Sequence, residues 1–71
     1  MNIGEVYIFK GGNILGGESL IENELYVVCE MHNGKPCVVD INDEMKHSVC
    51  IYEKEQKFFE RAEEVVIIGS I

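Results

Sequence analysis

The chain has 71 residues, 46% of them hydrophobic and 27% charged, with a net charge of −7 and a pI near 4.6. That composition fits one globular domain rather than a disordered chain, and a domain this short buries only about 60% of its unfolded surface, which leaves little room for an enclosed active-site cleft. The acidity argues against direct contact with nucleic acid or an anionic membrane, whose phosphates are met by Lys and Arg, and it suits a basic protein partner. Excess acid also serves simply to keep a small domain soluble.

The stretch from Met1 to Glu5 lacks the basic flank and apolar run of a signal peptide, and no segment approaches the ~20 apolar residues of a membrane span. A cytoplasmic location is expected. Residues 4 to 10 (Gly-Glu-Val-Tyr-Ile-Phe-Lys) alternate as a first strand, with Val6 and Ile8 on one face and Tyr7 and Phe9 on the other. Apolar side chains on both faces predict a strand covered on both sides or curled at a barrel seam. Gly11, Gly12, Gly16 and Gly17 then break regular structure, so residues 11 to 23 read as a long loop or an irregular hairpin with Ile14 and Leu15 at its tip. The loop has no Gly-Lys-Ser/Thr and no following helix, so it does not read as a phosphate cradle. Its two apolar tip residues either pack back onto the barrel or contact a partner.

From Leu25 to Ile51 the pattern is a three-stranded meander. Leu25, Val27, Cys29 and Met31 alternate on what reads as the inward face, the two-residue turn Asn33-Gly34 reverses the chain, and Cys37, Val39 and Ile41 resume the alternation. A second reversal at Asn42, Asp43 and Glu44 leads to Val49 and Ile51. An odd count of three cysteines, with Cys29 and Cys37 on inward positions, fits small buried thiols better than a disulfide framework. Strict two-residue registry would place Cys29 directly opposite Cys37, the geometry of a cross-strand pair. Residues 53 to 64 then change period. Phe58, Phe59 and Ala62 are spaced for a helix and Glu53 with Lys57 is a favourable i, i+4 pair, which predicts a short helix or 3₁₀ turn near residues 54–63 with both rings plugging an open end of the sheet. Val65 to Ile68 read as the last buried strand.

The order of elements is that of an SH3-like small barrel of about five antiparallel strands, forming a single SH3-like domain over residues 1–71. Gly4-Glu5-Val6-Tyr7, Glu24-Leu25-Tyr26-Val27-Val28, the Asn33-Gly34 turn, Val38-Val39-Asp40, Phe58-Phe59-Glu60 and Glu64-Val65-Val66 resemble short SH3-like proteins encoded by bacteriophages. The resemblance covers most of the chain and carries structural motifs only. A phage source would in turn make the chain similar to the small acidic host-takeover proteins of lytic Bacillus phages. That class implies an inhibitor that occupies the DNA-binding surface of a basic host protein, such as a nucleoid protein.

Charge along the chain is one-sided. Glu18, Glu22, Glu24 and Glu30 lie between Lys10 and Lys35 with no intervening cation. Residues two apart on a strand point the same way ~7 Å apart, comparable to two ~3.4 Å steps between phosphates of one DNA strand. Glu22 with Glu24, and Glu53 with Glu55, meet that spacing if their segments are extended, and Asp43 with Glu44 adds charge at a turn. Tyr26 and Val28 share the outward face with Glu24 and Glu30 if Leu25, Val27 and Cys29 point inward, so Tyr26 is either an apolar anchor within a charged rim or covered by the loop or helix. The candidate partner-binding residues are therefore Glu18, Glu22, Glu24, Tyr26, Glu30, Asp43 and Glu44. The main alternative is a structural or adaptor module that docks by its sheet edge or apolar strip, or a homodimer through Val65 to Ile68.

Chemistry is sparse. Cys29, Cys37, Cys50, His32 and His47 show no metal-ligand spacing, so neither a metal nor another cofactor is expected. The run Asp40-Ile-Asn42-Asp43-Glu44 lacks the glycine and distal glutamate of a calcium loop. Nothing orients a Cys-His nucleophile pair, and a non-enzymatic protein is expected.

Overall fold

The computed structural model describes residues 1–42 and 47–62. Strands β1 (Val6–Phe9), β2 (Leu25–His32), β3 (Lys35–Asp40), β4 (Ser48–Cys50) and β5 (Phe59–Arg61) form one antiparallel sheet in the order β4-β3-β2-β1-β5. A 3₁₀ helix, Glu53–Phe58, joins β4 to β5. The fold is mainly β, five antiparallel strands in one sheet with a short 3₁₀ helix, as the sequence predicted; the strand that returns to β1 is Phe59–Arg61, within the span predicted as helical.

Asn33 and Gly34 have φ of 50° and 78°, the left-handed pair that a tight hairpin turn of matching twist requires. Beyond the turn, Val28 lies opposite Val38 and Val38 opposite Val49, so one row of valines crosses β2, β3 and β4. These three belong to the core with Phe9, Ile14, Tyr26, Ile51 and Phe59. Burying a side chain of this size contributes roughly 1.5–3 kcal/mol, and slipping the register by one residue would turn the whole row to water.

The inward face of β2 is the reverse of the predicted one. Tyr26 and Val28 are buried, Leu25 and Val27 are half-buried, and Cys29 and Met31 are exposed. Two causes combine. Both alternating sets of β2 are apolar up to Val28, so the period gives no sign, and the larger aromatic takes the core side. Tyr26 packs edge-on to Phe59 at 6.4 Å and accepts a hydrogen bond from the Ile21 N–H at 2.8 Å. A bulge then lies between Val28 and Glu30, where the partners step from Val38 to Cys37, leaving Cys29 without an opposite residue. That extra residue bends the strand and exposes everything from Cys29 to His32. On the opposite face, Val6, Val27 and Val39 are in register and form a second, thinner apolar row, consistent with the two-sided apolarity of β1.

The same bulge removes the opposition of Cys29 and Cys37 that strict two-residue registry would give. Cys37 lies opposite Glu30 on one side and Cys50 on the other. A disulfide joins Cys37 to Cys50 across β3 and β4, where buried thiols were expected. Cys29 is a free, exposed thiol beside the Cys37 carbonyl at 3.3 Å.

The glycine-rich loop splits its two tip residues. Ile14 enters the core, whereas Leu15 is 72% exposed. Turns closed by Gly17 N–H to the Ile14 carbonyl and Leu20 N–H to the Gly17 carbonyl fold the loop back on itself. Gly12 has φ of 143° and lies against the Phe58 ring, which a side chain there would strike.

The helical span is shorter than predicted, because Phe59 already belongs to β5. With three residues per turn, i and i+4 do not align. Accordingly, no Glu53–Lys57 ion pair forms among the described residues. The two rings part company as well: Phe59 packs on Phe9 at 5.2 Å, and Phe58 is half-buried under the loop. The predicted strand Val65 to Ile68 lies outside the described residues.

Candidate binding surface

The acidic loop and the strand ends bring four carboxylates to one end of the sheet. Glu18 and Glu22 are exposed, and Glu24 and Asp40 are half-buried. Asp40 enters this group through the sheet register, which sets it opposite Tyr26, two residues along β2 from Glu24. Its Oδ1 accepts the Asn42 N–H at 2.8 Å, an Asx turn that starts the second reversal. None of the four carboxylates makes an ion pair among the described residues.

A hollow of about 300 Å³ opens at this end, lined by Ser19, Tyr26, Asp40, Asn42 and His47 among others. Burial is the main cause that raises the Tyr26 phenol above its ordinary value. Its hydrogen bond from the Ile21 N–H opposes that rise, and the carboxylates of Asp40 and Glu24 add to it. The phenol therefore stays neutral among acids. A concavity walled by a neutral ring and the Asp40 carboxylate has the chemistry to receive the stem and charged head of a Lys or Arg side chain.

The remaining predicted residues fall elsewhere. Tyr26 forms part of this wall from within the core and is only 3% exposed, so it is not an outward apolar anchor. Glu30 is exposed but lies six residues along β2 from Glu24, about 20 Å at ~3.3 Å per residue. Asp43 and Glu44 lie outside the described residues. The phosphate-like spacing does not form. Asn23 has φ of 73° and the Glu24 N–H closes a turn onto the Ile21 carbonyl, so Glu22 and Glu24 are not on an extended strand. Glu53 and Glu55 sit on the 3₁₀ helix, and Glu55 is buried. Asp40 was not among the predicted residues, and the register counted back from Asn33-Gly34 would set it opposite Val27; it is the bulge between Val28 and Glu30 that brings it opposite Tyr26.

The five cations among the described residues divide into two groups. Lys10 pairs with Glu60 at 3.8 Å and Arg61 with Glu5 at 2.9 Å. Lys35, Lys54 and Lys57 make no such pair among the described residues; Lys35 lies 4.9 Å from the Tyr52 ring centroid and Lys57 lies 5.4 Å from that of Phe58. Lys35 and Asp40 stand at opposite ends of β3, about 17 Å apart at ~3.3 Å per residue. The surface is thus polarised, acidic where β2 starts and cationic near Tyr52.

Among the described residues no three His, Cys, Asp or Glu side chains gather as ligands for a metal ion. None of the described helices is long and apolar enough to cross a membrane. No family model matches the chain, and neither the curated proteins nor the solved structures include a match.

Proposed function

We propose that this is a non-enzymatic binding protein whose acidic end occupies a basic surface of another protein. The observation that carries this reading is the presence of Glu18, Glu22, Glu24 and Asp40, without ion-pair partners among the described residues, at the end of the sheet where a hollow of about 300 Å³ lined by Asp40 opens. Exposed carboxylates that are not satisfied within the chain steer association with cations and define its specificity. Surfaces rich enough in Lys and Arg to face them are typical of nucleic-acid-binding proteins, which agrees with the host-takeover class that the phage resemblance implies. The mechanism is occlusion, with carboxylates meeting the lysines and arginines that would otherwise hold phosphates. It does not require the carboxylates to copy the spacing of a DNA strand.

The adaptor reading by sheet edge has weaker support. Among the described residues the edge strands β4 and β5 are only three residues each, and short edges offer little backbone for strand addition.

The test is capture from a bacterial lysate on the immobilised protein, with elution by rising salt and with DNA as competitor. A basic nucleic-acid-binding protein should elute at moderate salt, be displaced by DNA, and bind the Glu22→Lys, Glu24→Lys double variant roughly tenfold or more weakly. Capture that resists salt, ignores DNA or survives the double variant would remove the acidic end from the mechanism.

A further inference from the structure

Apart from the acidic hollow, the molecule has a built surface that the occlusion reading does not use. Tyr52 precedes the 3₁₀ helix and is 40% exposed, although its large ring is of the kind that usually finds cover. It forms one side of a groove of about 400 Å³ whose other walls include Leu15, Lys54, Lys57 and Phe58. Leu15, the exposed tip of the glycine-rich loop, is an apolar side chain held out over this groove rather than tucked beneath it.

The groove is held in shape. Glu55, only 4% exposed, accepts the Leu15 N–H through Oε2 at 2.8 Å and the Tyr52 N–H through Oε1 at 2.9 Å. One buried carboxylate thereby fixes the loop tip and the start of the 3₁₀ helix relative to each other, across 40 residues of sequence. A groove with its walls tied before binding loses less entropy when it is filled.

Its charge runs against that of the chain. Lys35, Lys54 and Lys57 surround Tyr52, and in the hollows beside its ring Glu53 is the only exposed carboxylate among the described residues. In a chain of net charge −7, three ammonium groups without ion-pair partners among the described residues, placed around an exposed aromatic ring, select a ligand that is apolar at its centre and negative at its flanks.

We infer that the Leu15–Tyr52–Phe58 groove is a second docking site, which takes an acidic segment of a partner protein with an apolar side chain set between carboxylates. The apolar side chain fills the groove between Leu15 and Tyr52, and the flanking carboxylates meet Lys54 and Lys57 on one side and Lys35 on the other. The hollow and the groove then recognise opposite charges, so the protein can bridge a basic and an acidic partner.

The inference is tested by amide chemical shifts of the isotope-labelled full chain, titrated with an end-blocked peptide in which one leucine is flanked on each side by two glutamates. Saturable shifts are expected at Leu15, Tyr52, Lys54 and Lys57. A peptide with glutamine in place of glutamate should bind about tenfold more weakly, as should the Lys54→Glu, Lys57→Glu double variant, since each exposed ion pair contributes up to ~1 kcal/mol. Both lysines are exposed, so the variant should keep its fold, which unchanged shifts in β1 and β2 would verify; Tyr52→Ala supplies an independent loss of the apolar contact. Absence of saturable shifts, equal binding of the glutamine peptide, or shifts confined to the Glu22 and Glu24 end would overturn it. Concentration-dependent shifts at these same amides without peptide would overturn it too, by assigning the groove to a second copy of the chain.

Discussion

Two regions of the molecule solve one problem with opposite chemistry. Each must tie the long loop between β1 and β2 to the sheet, and each does so by giving a buried acceptor to a loop N–H. In the acidic region the acceptor is the Tyr26 hydroxyl, bonded to Ile21; in the cationic region it is the Glu55 carboxylate, bonded to Leu15 and Tyr52. The anchor near Glu24 and Asp40 is a neutral phenol, and the anchor near Lys54 and Lys57 is an acidic side chain, so each region is tied by a group of different chemistry.

Breaking the charged anchor should have the largest effect. Glu55→Ala removes the acceptor of two N–H groups at once and is expected to destabilise the fold by about 2–3 kcal/mol, measured by urea unfolding, since hydrogen bonds to charged groups are the stronger kind. The loss should appear first as faster hydrogen exchange at Leu15 and Tyr52. Tyr26→Phe keeps the ring on Phe59 and deletes only the acceptor for Ile21, so about 1 kcal/mol is expected in the same assay. An equal or larger cost for Tyr26→Phe would show that the phenol is the main anchor and would reverse the comparison.

The smallest effect belongs to a group in neither region. Glu5 accepts from the Tyr7 hydroxyl at 2.7 Å and from the Asn2 N–H at 2.7 Å, and it pairs with Arg61. The Tyr7 hydrogen bond is the foremost cause holding its carboxyl below the ordinary value of 4.5, joined by Asn2 and Arg61 and opposed by slight desolvation. A carboxyl depressed in the folded state stabilises above its unfolded pKa, and that contribution fades as pH falls through the folded value. Glu5→Gln should therefore cost little at neutral pH and nothing in strong acid, with the two stability curves merging as pH drops below 4.5. A stability difference that persists in acid would show that shape and packing, rather than ionisation, give Glu5 its role.

Much of the fold was legible because its signals are local. Gly4 to Lys10 alternates, four glycines within seven residues exclude regular structure, Asn33-Gly34 demands left-handed backbone, and the change of period after Tyr52 marks the helical turn. The candidate sites were legible only in part. Glu18, Glu22 and Glu24 could be gathered from the absence of cations around them, whereas the carboxylate that lines the hollow is Asp40, which arrives from β3. Leu15 and Tyr52 are 37 residues apart by number, and no pattern in the chain announces that Glu55 will hold them together.

The element order, the turn and the charge imbalance follow from the chain alone, since each depends on backbone freedom, period or composition within a short window. Which face of β2 lies inward depends on packing, because alternation has a period but no sign and the bulge at Cys29 shifts it midway. Packing also decided that Cys37 meets Cys50, and that Ile14 is buried while Leu15 is exposed. These outcomes depend on which atoms compete for the same interior space, and that competition exists only once distant strands are packed against each other.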